Sequence, residues 1–163
     1  MAQLNMNRQT NSLIQTLKEK KLTLALAESI TCGMASEKLA SCVGISDVLM
    51  GSVICYSPKV KTGLLGLAKK TIKKFSCESM EVTEKLAERL GRLIKADIHA
   101  ALTGLAAPGG SETKEKPVGT VFICVIYKGK KFRLRKLFRG TPVEIRKKSC
   151  IALYDFILKC VRA

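Results

Sequence analysis

The stretch Val118 to Tyr127, VGTVFICVIY, is almost wholly apolar, and it restricts what the rest of the chain can build. It is far shorter than the roughly 20 residues that cross a bilayer as a helix. Once buried, its backbone N–H and C=O groups need partners on both sides. A central strand covered on both faces meets that need. Lys128-Gly129-Lys130 then turns the chain into Lys131 to Arg139, whose pattern alternates. Phe132, Leu134 and Phe138 point one way, and Lys131, Arg133 and Arg135 point the other. The two segments read as a hairpin at the end of a sheet.

Upstream, strands and helices alternate. Leu13, Ile14 and Leu17 are spaced for a helix over 9–20. Leu22 to Ala27 suits a buried strand, and Ser29, Thr31 and Gly33 form a turn into a helix at about 31–41. Val48 to Tyr56 is the next strand, and Pro58 opens a short helix that ends near Gly63 to Gly66. The lysine-rich stretch Ala68 to Glu78 shows no element. Ser79 caps a helix through Ala96 with Val82, Leu86, Leu90, Leu93 and Ile94 on one face. Ile98 to Leu105 is a strand leading into a Gly/Pro/Ser-rich loop, Ala106 to Pro117, and a helix at about 142–161 closes the chain. The expected fold class is α/β: one domain over residues 1–163, a three-layer α/β/α sandwich with a mixed, mostly parallel sheet. Ligands of such sheets gather beyond the carboxyl ends of the strands. Glu28-Ser29, Tyr56-Ser57 and Thr103-Gly104 stand at three of those ends.

Charge and cysteine content narrow the chemistry. The chain carries 29 Lys and Arg against 13 acids, a formal net charge of +16. Such a field attracts polyanions. The cations are nevertheless dispersed along the chain, Trp is absent, and no familiar nucleic-acid motif is visible. A solvated basic surface or a small phosphorylated substrate accounts for the charge as well as nucleic acid does. The seven cysteines occur singly, without a C-x-x-C pair, and His99 is the sole histidine, so no metal site is expected. Met1 to Arg8 lacks the apolar segment of a secretory signal, and a cytoplasmic location without membrane attachment is expected.

Ser29 at a strand-to-helix turn has two readings. It is either a helix N-cap or a nucleophile, and a nucleophile needs a base. Lys61, one short turn after the second strand and near Tyr56, is the candidate. Lysine in ordinary surroundings is protonated at neutral pH, so a base here requires burial or a neighbouring cation. Spacing alone does not distinguish Lys61 from a solvated surface lysine.

Four blocks add to this. Ala27-Glu28-Ser29-Ile30-Thr31-Cys32-Gly33, Tyr56-Ser57-Pro58-Lys59-Val60-Lys61, Thr103 to Gly110 and Lys116 to Val121 occur in this order. Together they resemble the CinA C-terminal-domain family, which includes single-domain nicotinamide-nucleotide amidases. The resemblance implies hydrolysis of the carboxamide of nicotinamide mononucleotide to a carboxylate, with release of ammonia. It implies Ser29 as nucleophile, Lys61 as base and Tyr56 as a relay or orienting group. Substrate-binding or oxyanion roles fall on Ile30, Thr31, Gly33, Thr103, Gly104, Gly109 and Gly110. No cofactor is implied, and a homo-oligomer is expected. Larger family members carry a nucleotide-hydrolysing N-terminal domain, whose activity is not expected of this chain. Three departures stand out: Cys32 and Ala107 replace glycines, and Thr141-Pro142 stands where the family has an acid and a base. The altered glycines and the net charge of +16 motivate an alternative, a non-catalytic binding module associated with nucleic acid in competence or the DNA damage response.

Overall fold

In the computed structural model, which describes residues 2–163 with side chains from Met6 onward, the apolar run becomes β4 (Thr120–Tyr127). The preceding elements are α1 (Ala2–Glu19), β1 (Leu24–Glu28), α2 (Met34–Ala40), β2 (Leu49–Ile54), α3 (Pro58–Gly63), α4 (Lys69–Phe75), α5 (Met80–Leu93) and β3 (Ile98–Gly104). β5 (Lys130–Leu137) and α6 (Pro142–Arg162) follow it. The strands form one sheet in the order β2-β1-β3-β4-β5. β1 runs parallel to β2 and β3, while β4 is antiparallel to β3 and β5. Only β4 is therefore reversed, and the sheet is mixed and mostly parallel, as expected.

The side-chain parity of the strands decides which helices cover which face. Leu24 and Leu26 of β1, Ile98 and Leu102 of β3 and Ile123 of β4 join a core with α1, α2 and α6. Ala25, Ala27, Ala101 and Cys124 face the other way and meet Val82, Leu86 and Leu90 of α5. The small residues on this second face let α5 lie close to the sheet. Every residue of β1 is buried, as suits a strand flanked on both edges and both faces.

Several boundaries and two short elements differ from the sequence reading, and α5 ends at Leu93 rather than Ala96. α1 begins at Ala2 rather than near residue 9. α2 begins at Met34, because Cys32 and Gly33 adopt left-handed backbone (φ 49° and 91°) and delay the first helical turn. A short 3₁₀ turn, Ile45–Asp47, precedes β2. The lysine-rich stretch contains α4, in which Ile72 and Phe75 alone pack against the second core. Among the described residues, no helix is long and apolar enough to cross a membrane.

Candidate active site

Glu28, the last residue of β1, is fully buried and organises the turn after it. Its Oε2 accepts from Thr31 Oγ1 (2.7 Å), Gly33 N (3.0 Å) and Ala35 N (3.0 Å). Its Oε1 accepts from Ser36 N (2.9 Å) and Ser52 Oγ (3.0 Å). One carboxylate thus satisfies the orphan N–H groups of α2, and its charge complements the positive end of the helix. The turn holds Ser29 at the sheet edge, with its N–H donating to Leu102 O (3.1 Å).

Lys61 reaches Ser29 from α3. Pro58 begins that helix, and Ser57 caps it by accepting from Val60 N at 3.2 Å. The Lys61 side chain is fully buried (0% exposed), which sets it apart from the solvated lysines of this basic chain. Its Nζ lies 3.0 Å from Ser29 Oγ, 2.6 Å from Cys55 O and 3.0 Å from Tyr56 O. This arrangement serves both protonation states. An ammonium donates to all three oxygens, whereas a neutral amine donates to the two carbonyls and accepts the serine O–H. Among the described residues, no carboxylate forms an ion pair with Lys61. The neighbouring thiols are unsuited to replace Ser29. Burial pushes Cys55 up to about 11 and also raises Cys77, so both are protonated at neutral pH.

Ser29 opens into a cleft of about 460 Å³ at the carboxyl ends of β1, β2 and β3. Of the residues singled out in the sequence, Ile30, Tyr56, Gly104, Gly109 and Gly110 line it. Gly104 is dictated by space, since a Cβ there would lie 2.6 Å from Thr120 O and 2.9 Å from Ile30 Cδ1. Tyr56 is 66% exposed, and its link to Lys61 runs through its main-chain carbonyl rather than its phenol. Three expected residues, Thr31, Gly33 and Thr103, do not line the cleft. Gly33 N–H and the Thr31 hydroxyl are both committed to Glu28. Thr103 is buried on the α5 side, where its Oγ1 lies 2.8 Å from Thr83 Oγ1. The N–H group of Ile30, which lines the cleft, has no protein acceptor among the described residues, which leaves it free to meet an oxyanion.

The departures from the expected pattern have distinct structural meanings. Cys32 lines the cleft and holds left-handed backbone, a conformation that glycine adopts without strain. Ala107 does not adopt positive φ, so the glycine missing there costs no backbone strain. Thr141 and Pro142 start α6: Thr141 forms a capping box with Glu144, and Pro142 occupies the first turn.

Sequence reasoning gave no role to several residues that build this site. Glu28 was visible as a strand-end acid, but its donors come from the next turn and from β2. Arg146 of α6 lines the cleft, and its Nη2 donates to Thr31 O at 2.9 Å. Its Nε is buried without a protein partner. Lys116 ties the 106–117 loop to the start of α5, donating to Ser76 Oγ (2.7 Å), Glu78 O (2.9 Å) and Ser111 Oγ (2.8 Å). Ser111 Oγ in turn donates to Glu78 Oε2 at 2.5 Å, so the glycine-bearing wall of the cleft is fastened.

Fold and cleft together define an α/β/α sandwich with a buried serine–lysine pair beyond the carboxyl ends of its parallel strands. The chain belongs to the CinA C-terminal domain family, whose sequence profile matches residues 6–161. It is 37% identical over 147 residues to the CinA-like protein of Thermotoga neapolitana, covering 90% of this chain and 36% of that relative. A CinA-like protein of Petrotoga mobilis is 38% identical over 152 residues, covering 93% of this chain and 37% of the relative. The chain therefore spans little more than a third of the length of these relatives. Among solved structures, the competence damage-inducible protein A of Klebsiella pneumoniae superposes with a TM-score of 0.91 at 22% identity, covering 96% of this chain and 97% of that one. A CinA superfamily protein of Escherichia coli gives 0.90 at 22% identity, covering 95% of this chain and 90% of its own. These last two similarities speak for the fold alone.

Proposed function

We propose that the chain is an amidohydrolase acting on the carboxamide of nicotinamide mononucleotide, with Ser29 as nucleophile and Lys61 as base. The observation that carries this reading is the 3.0 Å approach of the fully buried Lys61 Nζ to Ser29 Oγ at the cleft. Ser29 Oγ attacks the amide carbon while its proton passes to neutral Lys61. The carbonyl oxygen becomes an oxyanion facing the Ile30 N–H group. Collapse of the intermediate breaks the C–N bond, and Lys61 returns the proton to the departing nitrogen as ammonia leaves. A water molecule then gives its proton to Lys61 and attacks the ester carbon. As the ester bond breaks, Lys61 returns that proton to Ser29 Oγ, and the product acid ionises to the carboxylate of nicotinate mononucleotide. The main-chain carbonyls of Cys55 and Tyr56 hold Nζ throughout, a positioning duty that Tyr56 performs without its phenol.

Arg146 is the cation best placed to receive the substrate phosphate, since it lines the cleft and its buried Nε lacks a protein acceptor. The test is ammonia release by purified protein from nicotinamide mononucleotide, with nicotinamide and nicotinamide riboside alongside. Preference for the phosphorylated amide supports the assignment. Absence of release from all three by folded protein overturns it.

A further inference from the structure

β5 ends the sheet, and among the described residues its outer edge pairs with no strand. An edge strand presents alternate N–H and C=O groups to whatever approaches it. Five of the eight residues of this one are basic. On the face toward α5, Lys131 and Arg133 pair with Glu88 and Glu84 at 2.5 and 2.6 Å. On the opposite face β5 and α6 enclose an open groove of about 510 Å³. Leu134, Phe138 and Phe156 give it an apolar floor, and Lys136, Lys148 and Lys159 stand around it. Among the described residues, none of these three lysines forms an ion pair. Asp155 is the sole acid of the groove, against three lysines.

We infer that this edge and groove receive an extended acidic segment of a partner protein by strand addition to β5. The partner backbone would bond to the outward N–H and C=O groups of β5. Its aliphatic side chains would enter the groove, and its carboxylates would meet the surrounding cations. Charge selects this occupant over two others. A second copy would bring the same basic strand against itself, and like charges bar that pairing. A polyphosphate backbone offers no donor to the outward carbonyls of the strand. None of the groove residues lines the Ser29 cleft, so binding here is separable from the chemistry proposed there.

The probe is a fluorescein-labelled peptide of alternating glutamate and valine, with two further glutamates at each end. Binding to the whole chain is followed by fluorescence anisotropy. The wild type is expected to bind with a micromolar Kd. The Lys136→Glu/Lys159→Glu variant, with unchanged circular dichroism and Tm, is expected to bind at least tenfold more weakly. Two versions of the peptide carry N-methyl groups on the residues of one or the other parity, and one of them should also lose at least tenfold. The inference is overturned by undetectable wild-type binding at millimolar peptide, by equal binding to the charge-reversed variant, or by indifference to both methylation patterns. Equal displacement by a single-stranded oligonucleotide of the same charge would also overturn it.

Discussion

Replacing Glu28 with glutamine changes one buried oxygen to an amide nitrogen while keeping size and shape nearly constant. The wild-type carboxylate accepts five hydrogen bonds: three at Oε2 and two at Oε1. If the glutamine oxygen takes the Oε2 position, its NH₂ group confronts Ser36 N–H, a donor that cannot reverse. Ser52 can rotate to accept, but the Ser36 amide is stranded at the start of α2. A buried unsatisfied donor costs about 1–3 kcal/mol, and loss of charge weakens the remaining bonds. Relief of the carboxylate's own desolvation offsets part of this. The net expectation is a loss of about 2–4 kcal/mol, or a fall in Tm of roughly 4–16 °C for a chain of this size. Urea unfolding followed by far-ultraviolet circular dichroism measures it. Ser52→Ala supplies a cycle, because its cost of about 1 kcal/mol should shrink once Glu28 is glutamine. A Glu28→Gln loss below about 0.5 kcal/mol would refute the role assigned to the carboxylate, since typical surface changes fall in that range.

Three further outcomes follow from named contacts. Cys32→Gly relieves left-handed backbone but frees the unfolded chain, so its stability should match or exceed wild type by up to about 1 kcal/mol in urea unfolding. Gly104→Ala places a methyl 2.6 Å from a backbone oxygen and should cost about 1–3 kcal/mol, with loss of ammonia release from nicotinamide mononucleotide. Asp97 is held below the usual carboxylate range by hydrogen bonds from the Thr23 hydroxyl and N–H. A depressed folded pKa gives stability that is present above the unfolded value of 3.8 and lost as pH falls through the folded one. The urea midpoint of Asp97→Asn should therefore decline less steeply than that of wild type below about pH 4.

The strand pattern was legible because a strand buried on both faces reads as an unbroken apolar run, while one with an exposed face alternates. LALAE and TVFICVIY admit few alternatives, and Phe132 and Leu134 sort from Lys131 and Arg133 by simple alternation. α4 was illegible because only Ile72 and Phe75 anchor it, and four of its seven residues are lysine. Thr103 was taken toward the cleft by its place beside Gly104. The same alternation, carried one residue further, directs it to α5 with Ala101. Ser29 and Lys61 could be named from the blocks that contain them, 32 residues apart. Their contact depends on the loop between Ile54 and Pro58, whose carbonyls fix Nζ, and on Glu28, whose partners are spread from Thr31 to Ser52. Local sequence carries no record of such convergence.

The most direct test of the account is the rate of ammonia release from nicotinamide mononucleotide by wild type, Ser29→Ala, Lys61→Met and the double variant, each verified as folded. A nucleophile and base that act as one unit should each cost about 10³-fold or more, and the double variant should lose little beyond either single one. Wild-type activity that persists in Ser29→Ala or Lys61→Met, or losses that multiply in the double variant, would contradict the serine–lysine pair.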